Sequence, residues 1–367
     1  MNRLIANKIT VVGLGLMGGS LALSLSRAGL EVSGWDPDRA AVEEAVRIGA
    51  IAGVPETLAE AVSGARVVFV AAPVEYIPEI IASCLPFTEP GTIFSDLGSI
   101  KQIIVERVFS FLPETHYFVP GHPMTGSEQH GIAASDPFLF QNAAYILIRC
   151  EPTPEVAVQT IEAIIGHTGA HLLTLRADEH DRIVGMVSHL PHLVAATLAK
   201  TAGNEEAAMP RTLDLAAGGF RDTTRVALGA PQLWAGIIQG NQRMVLRALD
   251  AFAEQFVVLR ELVAGEDWSG LQQFLNQSRE VRAQVPAKNK GFLTLLHEMV
   301  VTIEDRPGAI HEVLIYLAEV GVNIKDIEIL RVREGDGGTL RLALENESAL
   351  EQALSILARK GFKVKKR

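Results

Sequence analysis

The sequence has little cysteine, no surplus of positive charge and no long apolar run. Cys84 and Cys150 are its only cysteines, and with no pairing pattern they exclude a disulfide framework and suit a reducing cytoplasm. Lysine and arginine total 33 against 43 aspartates and glutamates, a net charge of -10, which argues against nucleic acid or an anionic membrane surface as a partner. No apolar run approaches the roughly 18 residues of a membrane span. The N-terminus enters a strand by about residue 8 without the layout of a signal peptide. These absences leave a soluble, cytoplasmic protein as the expectation. A length of 367 residues is enough for two or three domains, each with its own core.

What is present begins with Lys8 to Asp36. Ile9, Val11 and Val12 form a short apolar, β-branched run, the pattern of a buried parallel strand. Gly13, Gly15 and Gly18 follow in G-x-G-x-x-G spacing, with Leu16 and Met17 between the last two, and helical apolar spacing continues from Ser20 to Ala28. The first glycine permits a tight turn, the second lets a pyrophosphate approach the backbone, and the third lets the helix pack close to the strand. Free N–H groups and the positive helix end then face the phosphates. A second strand, Glu31 to Trp35, ends in Asp36, where an acid accepts hydrogen bonds from an adenosine ribose and repels a 2′-phosphate. NAD rather than NADP is therefore the expected cofactor. The glycine spacing alone is a weak signal; the agreement of strand, helix and acid gives it weight.

Strands and helices alternate to about residue 175. Arg66 to Ala72 reads as a buried strand ending at Pro73, and Ala72-Pro73 is expected beside the cofactor because ligands of open parallel sheets sit beyond the carboxyl ends of the strands. Strands at Thr92 to Asp96, at Val119, at Tyr145 to Arg149 and at His171 to Leu175 are expected to complete one sheet, with their polar ends converging on one crevice. There the chain reads Gly-His-Pro-Met-Thr-Gly-Ser-Glu from Gly121 to Glu128. Pro123 pins the chain after the histidine, and Gly121 and Gly126 allow close approach of a ligand. A histidine facing a nicotinamide can accept a hydroxyl proton while hydride leaves the same carbon. For an isolated loop histidine, a structural hydrogen bond is the better reading.

From Ala177 to about residue 285 strands disappear and helical patterns take over. Asp181 to Thr201 reads as one helix carrying Ser188, His189, Pro191 and His192. Pro191 cannot donate to the carbonyl of Val187, so a kink is expected. His189 and His192 can share a face, but a metal site needs a third ligand and none is evident, so no metal is expected. Ala217 to Arg225 (Ala-Gly-Gly-Phe-Arg-Asp-Thr-Thr-Arg) is a glycine-loosened turn into a helix with two arginines, whose guanidinium forks can each hold a carboxylate. The helices from Leu233 to Val258 carry apolar spacing that supports packing within or between chains. Ser278 to Lys290 reads as a helix end and linker. Beyond it come a strand 295–303, a helix 309–320, a strand 322–330, a strand 339–344, a helix 347–360 and a short strand 362–364, in the order βαββαβ.

The glycine loop, Asp-Leu-Gly-Ser at 96–99, the run from Gly121 to Glu128, Ser-His-Leu-Pro-His at 188–192 and Gly-Gly-Phe-Arg-Asp-Thr-Thr-Arg at 218–225 together resemble the prephenate dehydrogenases of tyrosine biosynthesis. The C-terminal βαββαβ run, with Asp-Arg-Pro-Gly at 305–308 and Gly-Val-Asn-Ile at 321–324, resembles the ACT domain, a small amino-acid-sensing module. The resemblance implies an α/β fold class in three domains: a Rossmann-type dinucleotide-binding domain (1–175), an all-α substrate and dimerisation domain (176–290) and an α+β ACT regulatory domain (291–367). It implies His122 as the partner of the substrate's ring hydroxyl, with Ser99 holding both hydroxyl and imidazole. Arg225 becomes the carboxylate ligand, His192 and Ser127 substrate contacts, and Glu128 a group near the entrance. Gly308 and Asn323 become candidates for an effector site, with tyrosine as the expected effector and a homodimer as the expected assembly. The expected reaction is NAD-dependent oxidative decarboxylation of prephenate to 4-hydroxyphenylpyruvate. Arogenate as substrate, or a catalytically idle sensor of NAD and amino acids, are the alternatives.

Overall fold

The computed structural model describes residues 8–126, 129–285, 297–304, 306–333 and 337–366. They form two compact units divided between Gly291 and Phe292.

In the first unit, β1 (Ile9–Val12), α1 (Leu16–Arg27), β2 (Val32–Trp35), α2 (Arg39–Arg47), α3 (Leu58–Val62), β3 (Val67–Val70), α4 (Ile77–Cys84), β4 (Ile93–Asp96), α5 (Gln102–Phe109) and β5 (Tyr117–Val119) build a five-stranded parallel sheet. Its order is β2-β1-β3-β4-β5. The order reverses between β1 and β3, and a crevice opens there beyond the strand ends. Alternation along each strand divides the core into two layers. Ile9, Val11, Val67, Phe69 and Ile93 enter one, whereas Val12, Val68, Val70, Phe94 and Phe118 enter the other. These strands are buried on both faces, which is why they read as continuous apolar runs rather than alternating ones.

The single sheet expected through residue 175 is corrected to two. β6 (Gly121–Pro123), β7 (Ala144–Ile148) and β8 (His171–Leu175) form a separate three-stranded sheet, β6 antiparallel to β7 and β7 parallel to β8, with α6 (Glu155–Gly166) between the last two strands. Pro120 lies between β5 and β6, and with no N–H it cannot continue a ladder. Its carbonyl instead accepts from Ile148 N at 2.9 Å, turning the chain into the second sheet.

The helical part comprises α7 (Ala177–Val184), a π-turn (Gly185–His189), α8 (Leu190–Ala208), α9 (Gly218–Thr224), α10 (Pro231–Gly240), α11 (Gln242–Ala264) and α12 (Trp268–Gln284). The discontinuity expected at Pro191 takes the form of the π-turn, in which Leu190 N–H reaches back five residues to Gly185 O. The widened turn absorbs the backbone bonds that proline cannot make. The run Ala177–Ala208 is long and apolar enough, by length and composition, to cross a membrane, contrary to the sequence expectation. His180, Asp181, His189 and His192 lie buried along it. Ile237 of α10 joins the second sheet layer, so the expected first and second domains pack as one unit.

In the second unit, β9 (His297–Ile303), α13 (Ala309–Glu319), β10 (Ile324–Arg333), β11 (Gly337–Leu344), α14 (Glu347–Arg359) and β12 (Lys363–Lys366) form an antiparallel-paired sheet of order β10-β11-β9-β12 over two helices. Met299, Val301, Leu340 and Leu342 meet Val313, Leu317, Leu350 and Leu357 in its core. Gly308 caps α13 at a φ of +89°, a conformation glycine adopts without strain. β9 and β10 both run antiparallel to β11 and therefore parallel to each other. Gly308 consequently lies at one end of α13 and Asn323 at the other, separated by about 16 Å of helix.

Candidate active site

The loops at the crevice enclose a cleft of about 680 Å3. Gly15, Leu16, Met17, Ala72 and Pro73 line one part of it, and Ser99, His122, Arg225 and Trp234 line another. Each glycine of the first turn has its own reason. A Cβ on Gly13, at a φ of +94°, would meet Ala71 O at 2.1 Å, and one on Gly18 would meet Gly13 O at 1.9 Å. A Cβ on Gly15 would meet nothing within 4 Å. The turn and the close helix need the first and third glycines, whereas the second leaves the space a pyrophosphate takes. Asp36 Oδ2 accepts from Leu14 N at 2.7 Å and Oδ1 from Asp38 N at 2.9 Å. Those bonds fix the carboxylate against the glycine turn with lone pairs to spare for a ribose.

Behind the cleft runs a chain of hydrogen bonds. His122 Nδ1 lies 2.8 Å from His180 Nε2, and His180 Nδ1 lies 2.8 Å from Asp181 Oδ1. A carboxylate only accepts, so His180 donates through Nδ1, its Nε2 accepts from His122 Nδ1–H, and His122 Nε2 is left as an acceptor on the cleft side. Burial, then the neighbouring His180, Lys101 and His189, hold the His122 pKa well below its usual 6.5. Burial likewise lowers His180. Both rings are therefore neutral at pH 7. Asp181 also accepts from Lys101 N at 2.8 Å and Gln102 N at 2.9 Å, capping α5 from a different element. Under His122, Lys101 and Asp96 form a fully buried ion pair, and Lys101 Nζ donates to Gly121 O at 2.7 Å.

Profiles of known families match in chain order: "Prephenate dehydrogenase, nucleotide-binding domain" over residues 21–174, "Prephenate dehydrogenase, dimerization domain" over 176–277 and "ACT domain" over 297–362. A prephenate dehydrogenase from Bacillus subtilis is 32% identical over 351 residues, covering 94% of each chain. The chain belongs to the prephenate dehydrogenase family. It is an oxidoreductase by that membership. The solved Synechocystis arogenate dehydrogenase superposes with a TM-score of 0.68 at 30% identity, covering 76% of this chain and 100% of that one. The A. aeolicus prephenate dehydrogenase in complex with hydroxyphenyl propionate and NAD+ superposes with a TM-score of 0.71 at 27% identity, covering 76% and 98%.

Several site expectations from the sequence need adjustment on this family fold. His192 does not line the cleft. It stacks on Trp234, ring centroids 3.6 Å apart, and the indole carries the wall in its place. His192 Nδ1 is buried without a hydrogen-bond partner among the described residues. Ser99 lines the cleft, but the hydrogen bond at His122 goes to His180 and not to Ser99, because β6 turns that edge of the ring toward α7. Ser127 and Glu128 fall outside the described residues. His189 is a core histidine, bonded to Asn241 at 3.3 Å and edge-on to Trp234. His180, Asp181 and Lys101 carried no mark in the sequence beyond their position. A His-Asp pair opening a helix and a lysine in an apolar run after a strand were the signals available.

Proposed function

We propose that the protein catalyses NAD-dependent oxidative decarboxylation of prephenate to 4-hydroxyphenylpyruvate. The observation that carries this is the lining of one cleft by the glycine turn, His122 and Arg225, segments far apart in sequence. Bound NAD supplies the hydride acceptor. His122 Nε2 takes the ring hydroxyl proton, and the charge that builds on the imidazole is spread toward Asp181 through His180. Arg225 holds a carboxylate in paired charge-assisted bonds. Loss of carbon dioxide makes the ring aromatic, so the protein needs mainly to align the reacting groups. Asp36 beside the glycine turn favours NAD over NADP.

Prephenate is favoured over arogenate by charge. The described residues lining the cleft include Arg225 and two histidines but no carboxylate. Such a lining suits a keto dicarboxylate, which carries more negative charge than arogenate. Absorbance traces of NAD reduction with each substrate test this. A kcat/KM for prephenate at least tenfold higher supports the reading, the opposite preference replaces it with arogenate, and no turnover with either leaves the sensor.

The ACT match and the placement of Gly308 and Asn323 at opposite ends of α13 support an amino-acid effector, tyrosine, held between two paired modules. A homodimer is supported by the dimerization-domain match and by Leu246, Phe252, Phe256 and Val263, all exposed on α11. Two free cysteines suit the cytoplasm in which such an enzyme works. Tyrosine titration of the intact enzyme during turnover tests the effector.

A further inference from the structure

The buried pair of Asp96, at the end of β4, and Lys101 takes no part in the chemistry just described, yet it touches the strand that carries His122 on both sides of one residue, Gly121. Asp96 Oδ1 accepts from Gly121 N at 3.2 Å, and Lys101 Nζ donates to Gly121 O at 2.7 Å. Asp96 Oδ2 is bonded to Gly98 N at 2.9 Å and to the Lys101 ammonium. Gly121 fits this slot because a Cβ would meet the Tyr145 ring at 2.8 Å and Asp96 O at 2.9 Å. Both charged side chains are fully buried. Burying an ion pair stabilises a fold little or not at all compared with apolar side chains, so the pair calls for another reason.

Followed outward, the bonds close on themselves. From Lys101 Nζ the path runs to Gly121 O, along the chain to His122, across to His180, on to Asp181 and back to Lys101 N. The turn between β4 and α5 thus grips both the backbone beneath the imidazole and the carboxylate at the far end of its hydrogen-bond chain. We infer that Lys101 is a positioning residue for His122: its ammonium fixes strand β6 through the Gly121 carbonyl, and its backbone N–H fixes Asp181. Shifting strand β6 breaks the Lys101 Nζ bond to Gly121 O, and turning the His122 ring breaks its bond to His180, whose partner Asp181 is held by Lys101 N. The same ammonium is one of the groups that lower the His122 pKa, with burial, His180 and His189.

This rests on the functional reading above, so the wild-type enzyme is assayed first. The test variant is Asp96→Asn with Lys101→Met, which removes both charges and leaves neither one buried alone. The expected result is a kcat lowered about 10- to 100-fold, with KM for prephenate and for NAD within about twofold. The acid limb of kcat should move to higher pH once the ammonium is gone. Nitrogen NMR of labelled histidine supplies a readout independent of turnover. Wild-type His122 should hold one tautomer, protonated at Nδ1, and the variant should show averaged tautomers. A variant with wild-type kcat and a single tautomer, altered only in melting temperature, would overturn the proposal. If the double variant does not fold, Lys101→Arg keeps a cation beside Asp96 but displaces the donor at Gly121 O. A three- to tenfold lower kcat at unchanged KM is then expected, and a wild-type kcat refutes positioning. If the wild type turns over neither substrate, the functional reading fails, and the tautomer of His122 alone decides the role of Lys101.

Discussion

At the scale of single residues, two glycines two positions apart should fail in different ways. Gly13→Ala forces a side chain into the left-handed region and against Ala71 O, so a loss of about 2–4 kcal/mol of stability is expected in urea unfolding, together with loss of NAD binding. Gly15→Ala meets no atom within 4 Å. Its stability should stay within about 1 kcal/mol of wild type while NAD affinity, followed by cofactor fluorescence, falls tenfold or more. His122 and Arg225 separate along a different axis. His122→Asn should lower kcat by about 10²–10⁴ with KM largely kept, since it removes a proton acceptor used only as the reaction proceeds. Arg225→Ala should mainly raise KM, because a charge-assisted contact is worth about 1.5–3 kcal/mol in the bound state. The low pKa of His122 places the acid limb of kcat/KM below pH 6.5, with activity full above that limb and lost as pH falls through it.

At the scale of elements, legibility in the sequence follows how local the cause is. The first strand, its glycine turn and the acid after β2 are local patterns, and they stand where their spacing put them. The βαββαβ order of the second unit was equally readable, because half-buried strands alternate and its helices carry an apolar face. The splitting of the sheet at Pro120 was not readable, since Tyr145 to Arg149 has the same apolar run whether it extends the first sheet or starts a second. Nor could spacing show that Asp181 caps α5, or that His189 and His192 both pack on Trp234. Those are contacts across tens of residues, made by side chains with ordinary helical neighbours.

The same buried histidines carry a stability consequence for the helical elements. Burial lowers His189 to about 4 against about 6.5 in the unfolded chain. The unfolded state therefore binds a proton that the folded state refuses between those values. Stability is fully present above pH 6.5 and declines as pH falls toward 4, by about 3 kcal/mol from this group alone. Urea midpoints of the first unit should fall steadily across that window, and His189→Gln should flatten the slope. An unchanged slope would assign the acid sensitivity to His122 and His180 instead, whose pKa values are lowered in the same direction.

At the scale of the whole molecule, the question is how a module of 76 residues could govern a cleft in another unit. Linkage requires only that tyrosine bind differently to two states of the enzyme, and the effect is reciprocal: whatever factor tyrosine takes from substrate affinity, substrate takes from tyrosine affinity. Factors of roughly 5–150, about 1–3 kcal/mol, are usual. Because Gly308 and Asn323 sit at opposite ends of α13, one amino acid reaches both only where two modules meet, and inhibition should then depend on assembly. Removing 292–367 should leave turnover within about threefold and abolish inhibition by tyrosine, while the intact chain should lose inhibition on dilution below its dimer dissociation constant. Inhibition that persists in the shortened chain, and rises or falls with prephenate concentration, would place tyrosine in the cleft itself, where its phenol ring resembles that of the product.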